Sequence, residues 1–153
     1  MNDSHKEIEV RDDQGKLTGR FQLVDGKLHG KAILFSGGRV IAEIGYLHGQ
    51  RQGEMRSFGD DGQLSSVIQH SEGLPHGEAS YFYPDGSLAR HANYKEGRLH
   101  GEVRDYAPDG KELACDSYID GKKQAAPSRV TTAAATSSEG EQRRSWFARL
   151  VEG

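Results

Sequence analysis

Histidines are the most obvious residues of this 153-residue chain that could do chemistry, and there are seven of them. Three share one repeat position, because His29, His76 and His100 stand directly before the equivalent glycines Gly30, Gly77 and Gly101. Two successive units of a strand repeat are about 10 Å apart, so these histidines could not share a metal ion. A residue that recurs at a fixed position is better explained by a structural role, such as a hydrogen bond to a turn. We therefore predict no metal site and no cofactor.

The other candidate groups for catalysis also have simple structural explanations. Cys115 is the only cysteine, which excludes an intrachain disulfide, and it has no adjacent base with an orienting carboxylate. The pairs Asp12-Asp13 and Asp60-Asp61 precede glycines, where aspartate favours turns. The glycines do not form a phosphate-binding loop, since no GxxxxGK[ST] motif is present. The sequence predicts a protein that is not an enzyme.

Glycines recur along the chain with a period of 23 or 24 residues. Three series keep this period: Gly26, Gly49, Gly73, Gly97 and Gly121; Gly30, Gly53, Gly77 and Gly101; and Gly38, Gly62, Gly86 and Gly110. Such periodicity identifies a repeat architecture. Because Gly15 and Gly26 keep the 11-residue offset between two of the series, we infer that a half-repeat opens the array.

Each repeat reads as two short strands and two turns. Between the turns, apolar residues alternate, as at Val40, Ala42, Ile44 and Tyr46, which is typical of a half-buried antiparallel strand. The Asp-Gly dipeptides, two of them preceded by proline, are strong turn signals. The sequence therefore predicts an all-β, single-sheet antiparallel solenoid of about four and a half hairpin repeats. Glu112 replaces an expected leucine in the last unit, so we expect a frayed or bulged closing strand there.

The composition changes after the repeats, and we divide the chain into residues 1–121 (repeats), 122–142 (linker) and 143–153 (a short helix). The linker is rich in Ala, Ser and Thr. On a helix, Trp146, Phe147 and Leu150 would share one apolar face with arginines beside it. Three roles stay open for this segment: a cap on the last strand, a contact with a partner's groove, and, least favoured, a contact with a membrane surface.

Charge and the N-terminal residues restrict the class of partner. The net charge is −3 and the isoelectric point is near 6.2, which argues against nucleic-acid binding. The first residues are polar, and no run resembling a signal peptide or a membrane span follows them. We expect a cytoplasmic protein whose partner is another protein; its oligomeric state stays open.

Two stretches resemble a known repeat family. They are YLHGQRQG (46–53) and YKEGRLHG (94–101), which resemble MORN repeats. The longer stretch DGSLARHANYKEGRLHGE (85–102) resembles the bacterial MORN-variant repeats of YwqK-type antitoxin proteins. This resemblance implies a cytoplasmic antitoxin or immunity protein that neutralises a toxin or effector by stoichiometric occlusion of its surface. The alternative is a structural adaptor or a peripheral membrane scaffold.

The repeat aligns two columns of aromatic residues, of which one is expected to form the core and the other to lie on the surface. The first column contains Phe35, Phe58, Phe82 and Tyr106, and the second contains Tyr46, Tyr94 and Tyr118. The sequence does not decide between them. Because tyrosine and tryptophan are enriched at protein interfaces, the residues that we predict to contact the partner are Tyr81, Tyr83, Tyr94, Tyr106, Trp146, Phe147 and Leu150.

Overall fold

A computed structural model describes residues 4–125, which form strands and turns without a helix. The strands are β1 (His5–Arg11), β2 (Leu17–Val24), β3 (Lys27–Leu28), β4 (Gly30–Ser36), β5 (Arg39–Leu47), β6 (Gln50–Phe58), β7 (Leu64–Ser71), β8 (Leu74–Phe82), β9 (Leu88–Lys95), β10 (Arg98–Leu99), β11 (Gly101–Tyr106), β12 (Glu112–Ile119) and β13 (Lys122–Lys123). Within these residues, no helix exists that could cross a membrane.

All thirteen strands belong to one antiparallel sheet that follows the order of the chain. The order is β1-β2-β4-β5-β6-β7-β8-β9-β11-β12-β13, with the short strands β3 and β10 beside β2 and β9. The prediction of a single-sheet antiparallel solenoid is therefore confirmed. The sheet extends to Lys123, two residues past the predicted end of the repeats, while the predicted helix at 143–153 lies outside the described residues.

Two kinds of turn set the register of the sheet. At one end of the strands the hairpins close with two residues of positive φ, as at Glu96 (49°) and Gly97 (81°). The backbone twist of such a turn matches the twist of the antiparallel strands that it joins. At the other end of the strands a three-residue loop, Pro84 to Gly86, follows Tyr83. The N–H of Gly86 donates to the carbonyl of Tyr83 at 2.9 Å. Asp85 Oδ1 accepts a hydrogen bond from the N–H of Ser87 at 2.9 Å. The predicted Asp-Gly turns thus have a visible cause.

Cross-strand partners lie on the same face, so the register divides the side chains between two faces. We call one of them the apolar face; its core row runs across six strands through Ala32, Ile44, Met55, Ile68, Ala79 and Ala92. Beside it, a flanking row runs through Leu34, Ala42, Ser57, Ser66, Tyr81, Arg90 and Asp105. The opposite, charged face carries cross-strand pairs such as Glu9–Arg20 and Glu43–Arg56.

The core of this one-layer sheet consists mainly of small side chains, not of either aromatic column. The buried apolar residues are Ala32, Ala42, Ile44, Ala79, Tyr81, Ala89, Ala92 and Val103. Neighbours on the same face are long enough to cover an alanine methyl group. Both predicted columns are half-buried, and Tyr46 and Tyr94 of the second column pack against the core.

The second aromatic column faces one of the glycine series. Four cross-strand pairs repeat along the sheet: Gly30 with Tyr46, Gly53 with His70, Gly77 with Tyr94, and Gly101 with Tyr118. Each of these glycines has a φ between 77° and 106°, a left-handed conformation that favours glycine. The two sequence periodicities therefore meet in one set of cross-strand pairs.

The closing strand differs from what its sequence suggests. β12 has eight residues and keeps the common register, since Glu112 pairs with Tyr106 as Leu88 pairs with Phe82. The strand was expected to be frayed or bulged, and the expected bulge lies beside Tyr106. The same irregularity lies beside Phe35, Phe58 and Phe82. It is a constant part of the repeat.

Candidate binding site

The candidate site is a polar cluster on the apolar face, formed where β8, β9 and β11 lie side by side. We call it the Arg90 site, and its members are Tyr81, Arg90, Tyr94, Asp105 and Tyr118. The register places Tyr81 opposite Arg90, and Arg90 opposite Asp105, in the flanking row. In the earlier strands this row contains Leu34, Ala42, Ser57 and Ser66, so the charges enter it only in the second half of the sheet.

Arg90 and Asp105 form a two-point ion pair. Arg90 Nε donates to Asp105 Oδ1 at 2.6 Å, and Arg90 Nη2 donates to Asp105 Oδ2 at 3.1 Å. Their side chains are 23% and 29% exposed, so water reaches the pair only in part. Burial alone would lower the pKa of Arg90, but the hydrogen bond to Asp105 and its negative charge outweigh burial and raise this pKa. Arg90 is therefore held in a fixed geometry and stays protonated.

Tyrosines surround this ion pair. The hydroxyl of Tyr81 lies 3.4 Å from that of Tyr94, and burial, followed by this contact, raises the pKa of Tyr81. Both Tyr94 and Tyr118 act electrostatically on Arg90. The site thus offers aromatic surface together with a guanidinium and a carboxylate, the side chains that protein interfaces favour.

The four predicted contact tyrosines form two pairs in the structure. Tyr81 lies beside Tyr94, and the hydroxyl of Tyr83 donates to the backbone carbonyl of Tyr106 at 2.9 Å. Tyr81 is only 5% exposed and belongs to the core, so its prediction as a surface contact requires correction. Tyr83, Tyr94 and Tyr106 are half-buried, whereas Trp146, Phe147 and Leu150 lie outside the described residues.

The sequence prediction did not include Arg90 and Asp105. A signal for Arg90 was present, since it interrupts the apolar series Leu88, Ala92 and Tyr94 on its strand. Asp105 had no comparable signal, because pairing it with Arg90 requires the strand register.

Two of the three recurring histidines, His76 and His100, have the structural role that their fixed position predicted. Gln52 Oε1, His76 Nδ1 and His100 Nδ1 each accept a hydrogen bond from the backbone N–H of a turn residue in the next repeat, at 3.1, 3.4 and 3.5 Å. His29 is different: its ring packs edge-on against His48, with centroids 5.4 Å apart. We call the three hydrogen bonds of Gln52, His76 and His100 the turn latches.

On the charged face, a shallow groove of about 430 Å³ lies around Gly45. Its charged lining residues pair with each other, Lys31 with Glu43 at 3.5 Å and Arg56 with Glu54. Within residues 4–125, no three His, Cys, Asp or Glu side chains come together in a way that could hold a metal ion. The charges that line the groove are thus paired with each other.

Comparison with known families places one repeat. Residues 75–96 match the family model described as a MORN repeat variant. This range covers most of β8, the Pro84–Gly86 turn, and β9 to its following turn, and includes both Tyr81 and Arg90. None of the curated proteins matches the chain. The chain is a repeat protein that contains a MORN repeat variant.

Proposed function

We propose that this chain is a non-catalytic protein-binding module, an antitoxin or immunity protein that neutralises a bacterial toxin or effector by covering its surface. The observation that carries the proposal is the Arg90 site, where a half-buried Arg90–Asp105 pair lies among tyrosines on the face of a one-layer sheet. A partner that covers this face would bury both the pair and the half-buried ring of Tyr94.

The site suits binding because its side chains are already ordered and its charges already paired in the free protein. Arg90 is held by two hydrogen bonds, so less rotamer freedom remains to be lost when a partner binds. The ion pair is also satisfied before binding, so covering it does not leave a charge alone in an apolar interface. Aromatic and arginine side chains in such positions are the usual energetic centres of interfaces.

The toxin or effector as partner comes from the resemblance to YwqK-type antitoxin proteins, carried by residues 85–102. This stretch includes Arg90, Tyr94 and the glycine that faces Tyr118. Trp146, Phe147 and Leu150 remain predicted as a second contact, joined to the repeats by residues 122–142, and two linked contacts would strengthen binding. A cytoplasmic location likewise stays a prediction.

The test is affinity purification of the full-length chain from its native cells, with two double variants beside it. In Arg90→Ala/Asp105→Ala both charges of the site are removed together, so neither is left buried alone. The matched control, Arg56→Ala/Glu54→Ala, removes an ion pair from the charged face. Circular dichroism checks that both variants fold.

We expect the unmodified chain and the control to retain one protein at a stoichiometric ratio, and the Arg90→Ala/Asp105→Ala variant to lose it. Co-expression of the unmodified chain should suppress the toxicity of that protein. A retained partner without toxicity would support the adaptor alternative and contradict the antitoxin proposal. Equal retention by all three proteins would remove the Arg90 site from the interface.

A further inference from the structure

The sheet begins and ends with complementary halves of a repeat. β1 pairs with β2 through a bulge between Val10 and Arg11, as β11 pairs with β12 through a bulge between Asp105 and Tyr106. β1 is therefore the counterpart of β11. β12 is the counterpart of β9, the strand to which β11 pairs on its other side. β1 thus has the place in the repeat that a strand following β12 would have.

Within the described residues, the chain itself begins such a following strand at β13. In β13, Lys122 and Lys123 pair with Ile119 and Tyr118, as the two residues of β10 pair with Lys95 and Tyr94. The N–H of Gln124 donates to the carbonyl of Ser117 at 2.8 Å, as that of His100 does to Asn93. The next position is Ala125, whereas its counterpart Gly101 has a φ of 106°, which side chains with a Cβ disfavour.

Two strand edges consequently have no strand beside them in the described part of the chain. One is the outer edge of β12 from Glu112 to Cys115, and the other is the outer edge of β1 from Lys6 to Arg11. Open edges are templates for further pairing unless they are blunted.

Charges of opposite sign mark these two edges. On β1, Lys6 and Arg11 occupy positions that hold Gly101 and Tyr106 in β11. On β12, Glu112 and Asp116 occupy positions that hold Leu88 and Ala92 in β9. The difference in sign is local to these positions, because Glu9 of β1 stands where β11 has Arg104 and Glu7 stands where it has Glu102. Arg11 of one copy beside Glu112 of another is attracted to it, whereas two β12 edges would bring Glu112 and Asp116 of both copies together.

We propose that copies of this chain associate head to tail, with β1 of one copy pairing antiparallel with β12 of the next in the register of β11 on β9. His91 pairs with Arg104 there, so Glu9 of the second copy would stand opposite Cys115, and its Val10 opposite Ala114. β13 of the first copy and β1 of the second would together replace the β10–β11 pair. The inference stands independently of the proposed function.

In this register the opposite charges come within reach of each other. Lys6 of the second copy lies diagonal to Asp116, and its Arg11 lies next to Glu112. Three of these charges already have a partner in their own chain: Arg11 has Glu9 at 2.7 Å, Glu112 has Arg104 at 3.4 Å, and Asp116 has Lys123 of β13 at 2.8 Å. The pairs of Arg11 and Glu112 are exposed, so they exchange or share partners at little cost, whereas Asp116 is only 20% exposed and keeps Lys123 as its partner. Head-to-tail contacts do not close on themselves, so association would produce linear chains that lengthen with concentration.

The native cysteine provides a direct test through Glu9→Cys in the full-length chain. β1 and β12 are first and tenth in the sheet, so nine strand spacings, about 43 Å, separate them within one molecule. No disulfide can span that distance, so the introduced cysteine and Cys115 can join only between copies. We expect mild oxidation to give dimers, trimers and longer chains on a non-reducing gel. The unmodified chain, with Cys115 alone, cannot exceed a dimer.

A matched control separates the proposed register from random collision. Glu78→Cys places the second cysteine on β8 in the middle of the sheet, where it also allows chains of any length. A ladder from Glu9→Cys that is much stronger than that from Glu78→Cys supports the proposal. Equal ladders, or none, would overturn it.

A second measurement uses no engineered cysteine. Sedimentation velocity should show a mass that rises with protein concentration and falls at high salt. Arg11→Glu should weaken association on the order of tenfold by placing like charges together, and adding Glu112→Arg in the same chain should restore it. A monomer at every concentration would contradict the proposal and leave the β12 edge to the residues after Ala125 or to another protein.

Discussion

In the first half of the sheet, the buried residues Ala32, Ala42 and Ile44 pack with apolar neighbours such as Phe21 and Met55. In the second half, the corresponding cluster is Ala79, Tyr81 and Ala89, with Tyr83 and Tyr94 against it. The strand register is the same in both halves. What changes is the flanking row, which holds Leu34 and Ala42 in one half and Tyr81, Arg90 and Asp105 in the other.

This difference shows how a repeat sheet can vary its surface without altering its backbone. Turns with positive φ and the paired glycines fix the register, and the alanines of the core row tolerate little else. The flanking row lies between these constraints, so its side chains can change from one repeat to the next. We therefore expect the second half to combine a structural core with a binding surface.

The largest effect should come from Tyr81, which belongs to the core of the second half. Tyr81→Ala removes a large buried side chain and should cost about 3 kcal/mol of unfolding free energy, measured by urea denaturation with circular dichroism. Ile44→Ala, which truncates a buried residue of the core row in the first half, should cost about 2 kcal/mol. Tyr81→Phe should cost less than about 1 kcal/mol, because its hydroxyl is a long 3.4 Å from that of Tyr94.

If Tyr81→Ala were as mild as Tyr81→Phe, the ring would not be part of the core, and the two halves would differ more than the burial indicates. Partner capture by Tyr81→Phe should remain normal, since a side chain that is 5% exposed has little surface to offer.

The next effect concerns the charges that distinguish the second half. Asp105→Ala leaves Arg90 partly buried without its carboxylate and should cost about 2 kcal/mol of unfolding free energy. Arg90→Ala/Asp105→Ala should cost less than the sum of the single variants. The double-mutant cycle measures this coupling free energy directly.

Arg56 and Glu54 provide the comparison on the charged face, where their side chains are 51% and 37% exposed. The same cycle there should yield at most about 0.5 kcal/mol. Equal coupling free energies for the two ion pairs would show that the partial burial of Arg90 and Asp105 has no energetic consequence.

The sequence predicted the repeat architecture well because glycine carries a conformational meaning that is local. A positive φ at Gly97 or Gly86 is a property of a few residues, so its recurrence is visible without knowledge of the fold. The Arg90 site could not be predicted in the same way, since the pairing of Arg90 with Asp105 depends on the register between distant strands. The sequence predicted a bulge only in the last repeat for the same reason: only the ladder shows that the bulge recurs in every repeat and that Glu112 keeps the position of Leu88.

The turn latches should contribute a smaller stabilisation that is shared by both halves. His76→Leu removes the acceptor for the N–H of Glu96 and should cost about 1 kcal/mol or less, since the bond is long at 3.4 Å. His76→Gln should be nearly neutral, because Gln52 accepts the corresponding bond from Glu72 in the previous repeat. Thermal denaturation of the three proteins compares them, and a Gln variant as unstable as the Leu variant would argue against a hydrogen bond.

The smallest effect is a pH dependence at His70, which lies where the two halves meet. Burial lowers the pKa of His70 below its usual 6.5, despite the contact of its Nδ1 with the carbonyl of Ile68, and the charge of Arg51 lowers it further. The unfolded chain therefore binds the proton more readily than the folded one. The contribution of a neutral His70 is complete above the unfolded pKa and is lost as the pH falls below it.

His70→Tyr, which introduces the residue type that Tyr46, Tyr94 and Tyr118 have at the same repeat position, should remove this part of the pH dependence. We expect the unfolding free energy of the unmodified chain, relative to that of His70→Tyr, to decrease as the pH is lowered from 8 to 5. His91→Gln, on the opposite face, serves as the control for replacing a histidine elsewhere in the sheet. Parallel pH curves for the unmodified chain and His70→Tyr would mean that His70 takes up its proton as easily in the folded sheet as in the unfolded chain. The junction between the apolar half and the polar half would then be open to water.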